Sequence, residues 1–319
     1  MRAPDFWQSD GLVARLLDPF GRLYGLAGDL RRQFATKKTV SVPVICIGNL
    51  TVGGAGKTPT SIAITKHLRK SGHTPHLLTR GYGGRNRGPH LVDIERDDSV
   101  EVGDEALLLA RIAPCWVSRD RVVGAEAAVK AGASVIILDD GHQNPHLAYD
   151  LAVIVVDAGV GFGNNRLMPA GPLRETVVGG LARADALVRI GAKPGQAPFE
   201  SHLPVFDASI QLATDGHNLQ GKRLVAFAGI GRPEKFFETL QDLGAVLVET
   251  RSFPDHHRYT TPEVEEILAY AGQVDASSIT TEKDHVRLPL PLGNSVKKLP
   301  IELRFDAKNA LDQLISMAL

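Results

Sequence analysis

The segment GNLTVGGAGKTPT, residues 48–60, constrains this chain more than any other. Before it runs TVSVPVICIGNL (39–50), β-branched and nearly free of charge, as a strand buried on both faces should be. After it, residues 59–71 read as a helix. A buried strand, a Gly-rich turn and a helix in that order form the setting of a phosphate-binding loop. Thr51, Val52, Gly53, Gly54, Ala55 and Gly56 would wrap the anion, the glycines freeing backbone N–H groups to turn toward it. Lys57 can reach the β/γ phosphates, and the Thr58 hydroxyl can ligate Mg²⁺. ATP and Mg²⁺ are therefore the expected ligands. One departure stands out: the GxxxxGK[ST] pattern expects Gly where this chain has Thr51. The bland alternative is a Gly-rich turn with an incidental Lys-Thr.

Apolar runs alternate with helical stretches on both sides of this loop. Strand-like segments fall at 76–79, 115–118, 134–141, 151–158 and 184–191, with helices at 103–113 and 121–131. That alternation predicts an α/β fold, a P-loop NTPase-like, doubly wound and mostly parallel sheet. The Pro- and Gly-rich stretch at 191–204 is a plausible boundary. A second α/β pattern follows it: strand 224–231, helix 233–243, strand 245–253, helix 262–271, strands 277–284 and 301–305, and a last helix. At 319 residues, against roughly 100–200 per domain, two domains are affordable. The expected division is 1–38 as an amphipathic, membrane-interface helix that is part of the first domain, 39–200 as the P-loop domain, and 201–319 as a smaller α/β domain closing over the site.

Lys plus Arg and Asp plus Glu number 36 each, which argues against a protein held to nucleic acid by a global field. Cys46 and Cys115 form neither a CxxC pair nor a disulfide framework, so a reducing compartment is expected. No apolar run reaches the roughly 18–20 residues that span a bilayer, and no signal-peptide pattern opens the chain. Residues 1–40 nevertheless mix Arg2, Arg15, Arg22, Arg31, Arg32, Lys37 and Lys38 with an apolar stripe at helical spacing: Leu12, Leu16, Phe20, Leu23, Leu26 and Leu30. Such a helix either lies in a membrane interface or packs its stripe on its own domain.

Carboxylates supply the rest of the expected chemistry. Asp139 and Asp140 end the apolar run 135–138, where a P-loop enzyme keeps an acid near Mg²⁺. An ordinary Asp-Asp-Gly turn is the alternative. Asp104 and Glu105 open a predicted helix, where capping is the simpler role. The loop Asp255-His256-His257-Arg258 is an exposed turn or part of a metal site, and zinc is disfavoured because no further ligand lies at suitable spacing. Arg80, Arg85, Arg87, Arg119 and Arg121 are candidate clamps for a phosphorylated substrate, or solvated charge.

Together GNLTVGGAGKTP, RGYGG, VGDEALLLA, ILDDGHQ, GPLRE (171–175), FPDHHRY (253–259) and TTEKDHVRL occur in the order found in tetraacyldisaccharide 4'-kinases, and the chain resembles that family over nearly its whole length. The family has the same Thr at the position of Thr51. The resemblance implies transfer of the ATP γ-phosphoryl to the 4'-hydroxyl of a tetraacyldisaccharide 1-phosphate, a lipid A precursor, giving lipid IVA. It also implies a peripheral position at the anionic, cytoplasmic face of the inner membrane. No nucleic acid and no obligate protein partner are expected. By the same resemblance Asp104 matches a catalytic base with His256 as its partner. Asp139, Asp140, Gln143 and Glu175 match polar residues around nucleotide and Mg²⁺. His142 stands where many relatives have Phe.

The runner-up is a P-loop ATPase or GTPase of the metal-insertion or partitioning type. Its deviant loops carry Lys immediately before the Gly pair, where this chain has Val52, and the GTP-specific NKxD is missing. A third reading, a non-catalytic nucleotide-binding adaptor, would tolerate loss of Asp104 and His256.

Overall fold

The computed structural model describes residues 4–193, 196, 201–213, 218–231, 233–289 and 291–319. A 3₁₀ turn (Asp5–Gln8) precedes α1 (Leu12–Gln33), β1 (Val44–Gly48), α2 (Lys57–Lys70), β2 (Pro75–Thr79), β3 (His90–Leu91) and α3 (Asp104–Ala110). Next come β4 (Cys115–Val117), α4 (Arg121–Lys130), β5 (Val135–Asp139), β6 (Leu151–Asp157), α5 (Val177–Leu181), β7 (Ala186–Ile190) and β8 (Val205–Leu212). The remainder is β9 (Arg223–Ala228), α6 (Pro233–Asp242), β10 (Val246–Ser252), α7 (Thr261–Gln273), β11 (Ser277–Thr281), α8 (Glu282–His285), β12 (Lys297–Leu299), β13 (Ile301–Phe305) and α9 (Ala310–Ile315).

The large sheet has nine strands in the order β13-β8-β7-β6-β1-β5-β2-β4-β3. From β8 to β4 neighbouring strands run parallel, while the edge strands β3 and β13 run antiparallel. Every residue of β1, β2, β5 and β7 is buried, which explains why these segments read as unbroken apolar runs. Arg189 is the exception within β7, and Asp207 of β8 answers it through two bonds of 2.6 and 2.8 Å. The strand β1 lies at the centre, with β5 on one side and β6 on the other, so the loop leaving it sits at a topological switch point.

A second sheet, β10-β9-β11-β12, is parallel throughout and packs α6 and α7 around it. The two sheets do not divide at residue 200. The strand β8, unanticipated from the sequence, extends the large sheet, and β13 returns to pair with it antiparallel. Both β13 and α9 then pack against α2, so the chain's end belongs with the P-loop unit. The second unit runs from β9 to β12. Part of the expected boundary at 191–204 lies outside the described residues. The strand expected over 277–284 stops at Thr281, because that side chain accepts the Asp284 N–H and starts α8.

The helix α1 packs by its small residues. Ala14, Gly21 and Gly25 are buried, and Leu167 fills the groove over both glycines. The stripe, expected either to lie in a membrane interface or to pack on its own domain, points outward: Leu12 is 74% exposed, Leu16 67%, Phe20 62%, Leu23 66%, Leu26 55% and Leu30 45%. Ion pairs fasten the helix, Arg166 to Asp10 and Asp18 at 2.7 and 2.6 Å, and Arg32 to Glu175 at 3.6 Å. Trp7 does not share the outward face, since its indole N–H donates to the Pro169 carbonyl at 3.1 Å. No helix among the described residues is long and apolar enough to cross a membrane.

Candidate active site

The loop after β1 is held from both ends. Val52 N–H donates to Pro172 O and Arg174 N–H to Leu50 O, each at 2.8 Å, so 172–174 lies alongside the loop as a brace. Thr51 forms an isolated antiparallel bridge to Leu173, and the Asn49 side-chain amide donates to its carbonyl at 2.7 Å. That extended setting explains the departure from the common pattern: position 51 asks for no special backbone conformation, so Gly is not needed there. Gly56 is different. Its φ is +94°, and a Cβ on it would come within 2.3 Å of Ile190 Cδ1. Lys57 and Thr58 follow at the start of α2, where helix N–H groups favour an anion. The Lys57 ammonium donates to Asn49 Oδ1 at 3.1 Å and lies 3.7 Å from Asp140 Oδ1.

Register places Asp139 beside the loop, because Ile47 of β1 pairs with Asp139 of β5. Asp139 is fully buried and accepts from Ser61 Oγ at 2.7 Å and Thr58 Oγ1 at 3.4 Å. Burial, reinforced by the charge of Glu105, pushes its carboxyl up to about 7. Asp140, with a left-handed φ of 54°, turns away to Arg174 at 3.0 Å. Burial would raise Asp140, but Lys57 and Arg174 hold it below the usual carboxylate range.

Gln143 joins Asp140 through the shared Arg174, which donates to Gln143 Oε1 at 3.2 Å, and links that pair to Glu175. Glu175 accepts from Arg183 at 2.5 Å and from Gln143 at 3.1 Å, and the Gln143 amide also donates to Asn49 O at 2.8 Å. The expected ligand set therefore does not gather into one shell. Among the described residues no three acidic, His or Cys side chains converge on a metal position. What remains is the oxygen pair Thr58 and Asp139, which suits Mg²⁺, a hard cation that keeps several waters. His142 packs under Gly48 with Nε2 at 3.0 Å from Gly180 O, and burial lowers its proton affinity.

The second unit supplies the other half. His256, in the loop after β10, has a left-handed φ of 59°, and its N–H donates to Gly229 O at 3.1 Å. Its Nδ1 lies 3.0 Å from Asp104 Oδ2, across 152 positions of sequence. Asp104 is 5% exposed and does not cap its helix; Gly103 takes that position and no side chain bonds there. Instead Asp104 Oδ2 accepts from Arg287 through Nε at 2.8 Å and also through Nη2. Burial would raise Asp104, but the His256 bond and the charges of Arg287 and Lys283 hold it far below the usual carboxylate range. The Glu105 charge acts on Asp139, which links this cluster to the phosphate loop.

The candidate arginines part company. Arg121 is buried and donates to the carbonyls of Ser118 at 2.6 Å and Arg119 at 3.3 Å; burial and the nearby Arg80 lower it to about 10. Arg80 and Arg119 are exposed. Residues that sequence reasoning passed over are Asn49, Ser61, Arg174, Lys283 and Arg287. Arg174 and Arg287 sat inside quoted motifs, GPLRE and TTEKDHVRL, but only tertiary contacts show what they hold.

Comparison with known proteins places the chain in a family. The family model for tetraacyldisaccharide-1-P 4'-kinase, LpxK, matches residues 13–319. A tetraacyldisaccharide 4'-kinase of Paramagnetospirillum magneticum is 52% identical over 317 residues, covering 98% of each chain. That of Rhodospirillum rubrum is 46% identical, covering 99% of this chain and 97% of its own. The crystal structure of LpxK from Aquifex aeolicus in complex with ATP superposes with a TM-score of 0.80 at 29% identity, covering 97% of this chain and 100% of that one. The full-length matches set aside the metal-insertion and partitioning alternative. This chain belongs to the tetraacyldisaccharide-1-P 4'-kinase family.

Proposed function

We propose that the chain transfers the γ-phosphoryl group of ATP to the 4'-hydroxyl of a tetraacyldisaccharide 1-phosphate, with the Gly-rich loop holding the nucleotide and Asp104 taking the hydroxyl proton. The observation that carries this reading is the 3.0 Å contact between Asp104 of the first unit and His256 of the second. A sugar hydroxyl is a poor nucleophile at neutral pH, so a carboxylate within reach has to accept its proton late in transfer. Asp104 Oδ2 is occupied by Arg287 and His256, whereas among the described residues Oδ1 accepts the Glu105 N–H alone, at 3.1 Å. Oδ1 is then the atom that receives the proton. His256, 37% exposed at its side chain, gives it a route to solvent.

Residues 51–58 orient the phosphates, with Lys57 as the mobile charge. Thr58 and Asp139 are the residues that would hold Mg²⁺, whose charge would offset that of the phosphate oxygens. Arg80 and Arg119 are the exposed cations proposed to meet the substrate phosphate, while Arg121 holds the 118–119 turn. Closure of the second unit on the first would exclude water and restrict idle ATP hydrolysis. The outward apolar face of α1, flanked by Arg15, Arg22 and Arg31, supports seating at the anionic cytoplasmic face of the inner membrane.

Transfer of labelled γ-phosphate, followed with and without the disaccharide acceptor, tests the reading. Label should appear in the lipid only when acceptor is supplied. Phosphate release indifferent to acceptor would overturn it.

A further inference from the structure

Two ion pairs tie the start of α3 to the segment 283–287, which opens in α8 and runs past its end. Asp104 and Glu105 are the first two residues of α3, and each meets one cation from the second unit: Arg287 on Asp104, and Lys283 on Glu105 at 3.2 Å. Lys283 lies in α8 and Arg287 in the turn that follows it, so a single short segment presents both. Arg287 is itself set rigidly. Its Nη1 donates to Gly229 O at 2.9 Å and to Asp284 Oδ1 at 3.0 Å, and the same Asp284 oxygen accepts from the Tyr259 hydroxyl at 3.1 Å and the Gly229 N–H at 3.0 Å. The side chains of Arg287, Asp284 and Asp104 are 2%, 0% and 7% exposed. Arg287 meets Asp104 end-on, with Nε and Nη2 on one oxygen rather than a fork across two.

We propose that Arg287 is a positioning residue for phosphoryl transfer: braced by Asp284, it ties Asp104 Oδ2 across the gap between units and leaves Oδ1, which takes the Glu105 N–H, with a lone pair for the acceptor hydroxyl, while Lys283 fastens the neighbouring Glu105. The proposal rests on the reading of Asp104 as the base. A guanidinium is needed because one planar group must bond Asp104, Asp284 and a carbonyl at once, which a lysine ammonium cannot reproduce. Around Asp104 the charged groups are Arg287, Lys283 and His256 from the second unit and Glu105 from its own helix, with Asp284 behind Arg287. Three cationic or protonatable neighbours keep the carboxylate ionised, so a proton taken from substrate passes on to His256 instead of resting on Asp104.

Arg287→Gln should lower kcat by about 10², the scale of losing orientation at a reacting group, without moving KM for ATP. Its pH–rate profile should gain an acid-side limb that the parent lacks above about pH 4, because Asp104 loses the charge that keeps it ionised. Millimolar guanidinium ion added to Arg287→Ala should return part of the rate, and ammonium ion should not. A parental rate and profile in Arg287→Gln overturns the proposal, and so does a lowered rate with the parental profile and no rescue. If Arg287→Gln does not fold, Arg287→Lys, which keeps the charge but not the planar set of bonds, should hold the parental pH profile with kcat lowered at unchanged KM for ATP, and a parental kcat there overturns the proposal. Asp104→Asn separates the two readings. Near-parental rate in that variant removes the base, whereas a large loss there beside an indifferent Arg287→Gln overturns the positioning role alone.

Discussion

Lys57 begins α2 with its ammonium parked on Asn49 and near Asp140, a charge held within reach of the anion cradle by a flexible stem. Lys57→Ala should cost on the order of 10²–10⁴ in rate, the scale of removing one electrostatic stabiliser from a transition state. Activity within a few-fold of the parent would place the nucleotide elsewhere. Asp104 and His256 form the other residue-scale unit. If they act together, each Ala change lowers kcat strongly and the double change falls well short of additive, while ATP affinity, read by equilibrium binding, survives in all three variants. Fully additive losses would sink the pair. These residues were legible in the sequence as motif members, but the simplest local reading of Asp104 was a helix cap. Burial and the meeting with Arg287, 183 positions away, decided otherwise.

At the scale of elements, α1 shows that periodicity fixes a helix and leaves the partner of its apolar face open. The 3.6-residue spacing of Leu12, Leu16, Phe20, Leu23 and Leu30 makes a helix, yet the face that packs on protein is the narrow one of Ala14, Gly21 and Gly25. Periodicity reports that an apolar face must be covered, not what covers it. Leu16, Phe20 and Leu23 changed together to Ser should release the protein from anionic vesicles in a flotation assay and leave its melting temperature nearly unchanged, since these side chains already meet solvent in the fold. A large fall in melting temperature with undiminished vesicle binding would contradict this. The strand β8 was missed for a related reason: only one of its residues is fully buried, so it lacks the apolar run that marks the inner strands.

Across the whole molecule, residues at or just beyond the C-terminal ends of strands in both sheets contribute to one site: the loop after β1 and Asp139 from the large sheet, His256 and Arg287 from the small one. Because Asp104 is held far below its ordinary value in this cluster, its charge stabilises the closed arrangement above the unfolded carboxylate value near 4 and that stability is lost as pH falls toward the folded value. Acid titration of the parent should therefore show a stability decrement below about pH 4, followed by intrinsic fluorescence, that Asp104→Asn lacks. Equal acid sensitivity in the two proteins would show that this ion pair does not couple the units.

Sequence alone determined the large sheet's inner strands, the phosphate loop and its neighbouring Asp139, because buried parallel strands and Gly-rich anion loops follow from local rules of polarity and backbone freedom. It also supplied, through an ordered set of motifs, the family. Tertiary structure alone decided that β13 and α9 return to the first unit, that Asp140 and Gln143 share Arg174, and that Glu175 pairs with Arg183. Each is a matter of which distant cation or strand edge reaches a given group. Charges and sheet edges carry no label in sequence for the partner that will satisfy them; only the folded chain assigns it.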